Sequence, residues 1–189
     1  MSESIELIRK SSWDTSELDE PSIIETCCPG RNLALVASSN QIAIFDYLQC
    51  KVAQSLRIPR GDCICSASFH PSGNHIIVAF KDKLQLANVL VDGIAPFWEA
   101  HVESCIDCKF NRRGTIFAAI CGKSIIVYDF LNGREICTID CNGTDFTKLK
   151  WGANCTALVV CEEGLHFCKW DALTLCVTSF NPALHKTSA

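Results

Sequence analysis

The chain has 189 residues, 48% of them apolar and 20% charged, with a formal net charge of -4. That size and balance give one or two ordinary domains with a packed core and exclude an intrinsically disordered chain. The acid excess, with no basic run longer than Arg112-Arg113, argues against nucleic acid and anionic membrane surfaces as partners, and no apolar stretch reaches the ~18 residues of a membrane span.

The first residues, MSESIELIRKSS, lack the charged-then-apolar layout of a secretory leader, so a cytoplasmic, reducing compartment is expected. Residues 1–21 read as a tail, in which SIELIRKSS alternates enough to serve as an extra edge strand. Trp13, in the polar stretch KSSWDTSELDEPS, has no core of its own to join and is a candidate partner anchor.

From residue 22 to residue 180 one unit recurs. Phe69, Phe110 and Trp151 follow one another at steps of 41, as do Gly73 and Gly114. Phe45-Asp46, Ala87-Asn88, Tyr128-Asp129 and Trp170-Asp171 repeat at 42, 41 and 42. The units run 22–58, 59–100, 101–141 and 142–180, with a polar tail at 181–189. Short apolar runs such as HIIVAF, KLQLANV, TIFAAI and SIIVYDF alternate with the turn clusters HPSGN, KDK, NRRG, CGK, LNGR and EEG. β-branched and aromatic residues crowd the runs, and none sustains a helical period. The expectation is an all-β chain of four-stranded antiparallel units.

A period near 41 with four strands and an aromatic-Asp pair closing the third is the propeller-blade pattern, and here the chain resembles the WD-repeat family. Phe69, Phe110, Trp151, Asp46, Asn88, Asp129 and Asp171 are its structural blade positions. Each Asp is expected to end a strand and bond the following turn. His101 stands where the family's Gly-His pair would sit, with Ala100 in place of the glycine. The stretches FHPSGNHIIVAFKDKLQLANVLVDGIAPF and CIDCKFNRRGTIFAAICGKSIIVY are similar to WD-repeat proteins of the ciliary and flagellar axoneme, over about Phe69 to Asp171. Four blades are too few for the usual ring, so the expected form is an incomplete, open propeller. Its ends would be covered by further blades, a second copy in a homodimer, a partner protein, or residues 4–12.

Propellers dock proteins on their rims, and no catalytic motif appears, so a non-catalytic scaffold without cofactor or metal is expected. The resemblance implies the axoneme and other axonemal or dynein-associated proteins as partners, in inner dynein arm docking or regulation. A general cytoplasmic adaptor in trafficking or complex assembly is the competing class, and a thiol-rich metal or redox protein is the third. The turns between second and third strands supply the candidate partner-binding residues Lys81, Asp82, Lys83, Lys123, Glu162 and Glu163, which change from lysine-rich to acidic along the chain. His70 opens a turn, His75 begins a strand and His166 alternates with apolar neighbours, with no shared blade position among the five histidines.

Fourteen cysteines invite a metal or disulfide reading. Cys105 and Cys108, in CIDC, are three apart on an expected strand and so should point to opposite faces, which denies one metal both thiolates. Cys63 and Cys65 share a face with Ala67 and Phe69 and are expected in the core. The loop pair Cys137 and Cys141 is what the metal reading retains.

Overall fold

The computed structural model describes residues 23–28, 31–140, 146–151, 157–162, 164–170 and 177–180, with side chains for 31–140 and 146–151. Its described residues are strands and turns only.

The described residues form sixteen strands in four sheets, each an antiparallel meander in chain order. The first contains β1 (Ile23–Cys28), β2 (Leu33–Ala37), β3 (Gln41–Asp46) and β4 (Lys51–Arg57). The second contains β5 (Ile64–Phe69), β6 (His75–Phe80), β7 (Lys83–Leu90) and β8 (Gly93–His101). The third contains β9 (Cys105–Phe110), β10 (Ile116–Cys121), β11 (Ser124–Asp129) and β12 (Glu135–Asp140). The fourth contains β13 (Lys148–Trp151), β14 (Ala157–Glu162), β15 (Gly164–Trp170) and β16 (Val177–Phe180).

The burial of each strand follows its place in the blade. The second strands β6 and β10 are buried almost throughout, because both faces meet a neighbouring sheet, and this is why HIIVAF and IFAAIC are continuous apolar runs. The outermost strand β4 alternates exposed and half-buried residues, as an edge with one wet face should.

Sheets stack face to face in sequence, with β5 on β1 and β2, β9 on β5 and β6, and β13 on β9 and β10. Leu35, Ile42 and Ile44 meet Ile76, Val78 and Phe80 between the first two sheets. Ile77, Leu84 and Leu86 meet Cys108, Phe110 and Phe117 between the second and third. Ile116, Ile120 and Val127 meet Phe146 and Leu149 between the third and fourth. The described residues give no comparable packing of the fourth sheet on the first, so the propeller is an open arc. One end differs from expectation. Ala34, Val36, Ala43 and Phe45, on the face of the first sheet turned away from the second, are buried rather than bare, with Tyr47 and Val52 packed against them.

The innermost strands carry β-bulges that overturn two expectations about cysteine. In β5, Ile64 pairs with Phe80 and Ser66 with Ala79, leaving Cys65 as the extra residue. Ile64 therefore joins Ala67 and Phe69 in the core, while Cys63 is exposed and Cys65 half-buried. In β9, Cys105 pairs with Cys121 and Asp107 with Ile120, which expels Ile106 to the surface. The inserted residue restores the phase, so Cys105 and Cys108 are both buried in one cluster instead of pointing to opposite faces.

Two glycines fit close approaches between sheets. Gly133, at φ +65°, lies where any Cβ would stand 2.2 Å from the Trp98 indole nitrogen. Gly114, at φ +72°, would drive a Cβ into the His70 ring at 2.1 Å. Trp98 is thus a packing residue between the second and third sheets, against Phe117 and Tyr128.

Candidate functional site

The first three blades present turns on two rims, and the rims differ chemically. On the first, the turn between second and third strands clamps the linker that leads into the next blade. Ser39 and Asn40 carbonyls accept from Ile64 and Ile58 N–H, at 2.9 and 2.8 Å. One blade on, Lys81 and Asp82 carbonyls accept from Cys105 and Val102 N–H, at 2.9 and 3.0 Å. The Gly122 N–H then donates to Ser104 O at 3.1 Å. These segments border a cleft of about 470 Å³ lined by Gly61, Asp62, Cys63, Lys81, Asp82, Val102, Glu103 and Ser104.

The sequence-derived rim residues divide accordingly. Lys81 and Asp82 line the cleft, and Lys123 is exposed one blade away. Lys83 begins β7 and is engaged: its Nζ is 2.9 Å from Asp62 Oδ2 and 3.8 Å from Glu99 Oε2, over the Phe80 ring. The bond that Lys83 donates to Asp62 raises the pKa of its ammonium above the ordinary value. Glu162 ends β14, and its side chain lies outside the described set, as do Trp13, Glu163 and Asp171 altogether.

The second rim is formed by the turns between third and fourth strands. Asp46 ends β3, and its Oδ1 accepts from Leu48 and Gln49 N–H at 3.0 and 2.9 Å. Asp129 ends β11 and accepts from Leu131 and Asn132 N–H at 2.9 and 3.1 Å. The held turns present aliphatic side chains to solvent: Leu48 is 68% exposed, Leu131 89%, and Leu90 and Val91 in the intervening blade 45% and 101%. Asn88 departs from the pattern, accepting at Oδ1 from His75 Nδ1 at 2.9 Å.

The same rim gathers two histidines that have no common repeat position. His70 and His75 stand edge to face, 5.4 Å between centroids, with Phe130 beside both. His70 Nε2 donates to Gly114 O at 3.0 Å, tying the second sheet to the third, while Nδ1 accepts from Ser72 N–H at 3.0 Å. Burial lowers the His70 pKa, against the bond to Gly114, and His75 lowers it further. A depressed folded value means that the unfolded chain takes the proton more readily. Stability should be full above about pH 6.5 and fall as pH drops below it. Thermal unfolding between pH 7.5 and 5 should show this slope in the native chain and lose it in His70→Gln.

The inner wall holds a residue that sequence reading passed over. Asp107, on β9, is 3% exposed. Its Oδ1 accepts from Ser66 Oγ at 2.5 Å and from Cys108 N–H at 3.0 Å, and its Oδ2 accepts from Leu149 N–H at 2.7 Å. One carboxyl therefore bridges three blades. Burial pushes it above the usual carboxylate range, opposed by Ser66, by Leu149 N–H and by Lys148. Ser66, Asp107 and Lys148 share the 41-residue register, as do Phe69, Phe110 and Trp151. Phe69 and Phe110 are buried, and Trp151 is half-buried with Nε1 donating to Lys109 O at 3.1 Å. Lys109, drawn down to about 8 by burial and by Lys148 and Lys150, completes a basic stretch on β9 and β13.

Among the described residues no group of three or more His, Cys, Asp or Glu side chains is arranged to hold a metal ion. No described helix is long and apolar enough to cross a membrane.

No protein-family model matches the chain. It is 36% identical over 109 residues to cilia- and flagella-associated protein 57 of Mus musculus, which covers 58% of this chain and 9% of that protein. It is 37% identical over 70 residues to cilia- and flagella-associated protein 57 A of Tetrahymena thermophila, covering 37% of this chain and 5% of that one. The chain thus spans less than a tenth of the length of these relatives. In fold it is similar to a chain of Kuenenia stuttgartiensis hydrazine synthase, with a TM-score of 0.69 over 85% of this chain and 49% of the other at 13% identity. That likeness concerns the β-propeller-like fold alone.

Proposed function

We propose that the chain is a non-catalytic docking scaffold of cilia and flagella, and that it binds a dynein-associated component of the axoneme. The observation that carries this reading is the 36% identity over 109 residues to a cilia- and flagella-associated protein. The rim turns support it, since Leu48, Leu90 and Leu131 repeat blade by blade and stay exposed. Scattered apolar side chains are ordinary on a surface, but a row of them at one repeat position offers a partner a continuous contact. The charged turns at Lys81, Asp82 and Lys123, with Lys83, Glu162, Glu163 and Trp13, form a second set of contacts that orient the partner more than they bind it.

The test is fractionation of cilia from cells that express the tagged chain. Retention on doublet microtubules through a high-salt wash is the expected result, and complete release into the soluble fraction would favour a general cytoplasmic adaptor. Leu48→Glu combined with Leu131→Glu should lower retention about tenfold or more, as loss of an anchor residue does. Because both side chains are exposed, the unfolding free energy should stay within about 0.5 kcal/mol. Unchanged retention would remove this rim from the docking surface.

A further inference from the structure

The bulge at Ile106 sets two thiols opposite each other. Cys105 on β9 is the register partner of Cys121 on β10, and both belong to the buried cluster between the second and third sheets. The Cys105 Sγ lies 4.0 Å from Asp107 O, and all three cysteines of the cluster are free. Directly opposed residues of an antiparallel pair have Cβ atoms about 4.5–5.5 Å apart, within a small adjustment of the ~3.8 Å of a disulfide. Cys108 is placed differently: it pairs with Ala119, and its Sγ is directed at Ile77 O of the second sheet.

Access comes from the first rim. Cys121 precedes the Gly122 turn, and Cys105 follows Ser104, which lines the cleft. We infer that Cys105 and Cys121 form an oxidation site that closes to a disulfide under peroxide. The Cys121 sulfur attacks the peroxide O–O bond, giving a sulfenic acid and releasing water. The Cys105 sulfur then displaces the sulfenic oxygen as a second water, so two electrons and two protons leave the thiol pair. The neighbouring Cys121 thiol and burial hold the Cys105 thiol well above its ordinary value, which makes the reaction slow. The bond would fasten the ends of β9 and β10 beside exposed Ile106, fixing the inner wall of the third blade.

The reduced full-length chain, treated with hydrogen peroxide, denatured and alkylated, is digested with trypsin and with a protease that cuts before aspartate. Trypsin separates Leu84–Lys109 from Gly114–Lys123, and cleavage before Asp107 separates Cys105 from Cys108. The expected product is a linked pair of these peptides, two hydrogens lighter than their sum, joined through Cys105 and retained in Cys108→Ala. No linked pair in the native chain, or a link through Cys108 or Cys63 instead, would overturn the assignment.

Discussion

Replacing Asp107 with alanine should lower the unfolding free energy by about 3 to 5 kcal/mol. The carboxyl serves Ser66, Cys108 and Leu149, which come from three successive blades, and it is shielded from water. Alanine leaves two backbone N–H groups and a hydroxyl without an acceptor in a buried site, and each such orphan costs about 1 to 3 kcal/mol. Ser66→Ala removes one donor only and should cost about 1 kcal/mol. Urea unfolding of the two variants and of the double variant measures both effects and their coupling. If Asp107→Ala cost less than about 1 kcal/mol, water would be entering the site and the bridge would carry little.

A similar loss, about 4 kcal/mol, is expected for Phe117→Ala. Phe117 is fully buried, stacked on Tyr128 at 5.0 Å and met edge-on by Trp98 at 5.6 Å and Phe110 at 5.7 Å. Truncation removes its ring from three aromatic contacts and leaves a cavity between the second and third sheets. Phe117→Leu keeps most of the volume and should cost much less. The measurements are the unfolding midpoint and the Trp98 emission. A loss near 1 kcal/mol for the alanine variant would mean that the sheets close over the gap.

The strands and turns were legible because each blade repeats at 41 or 42 residues, so one clear unit such as TIFAAICGKSIIVYDF aligned the less regular ones. The bulges were not legible. An extra residue leaves the letters of CIDCKF looking like plain alternation, yet it reverses which residues face the core, and only the pairing of Cys105 with Cys121 reveals it. Asp107 was missed for a related reason, since a single acid in an alternating strand reads as solvent-facing. Its register with Ser66 and Lys148 was available as a signal. So was the rim: Leu48, Leu90, Leu131 and Leu173 each follow two residues after the Asp or Asn of the repeat. The pairing of His70 with His75 had no sequence signal, because the turn that joins their strands folds one ring onto the other.

The clamps on the first rim also give the chain a direction of assembly. Ser39 and Asn40 receive the N–H groups of Ile64 and Ile58, and Lys81 and Asp82 receive those of Cys105 and Val102, so the first and second blades each offer a landing site for the first strand of the next. A chain emerging from the ribosome at about 5 to 20 residues per second meets both landing sites already built. The second and third blades then dock in the order in which they are made.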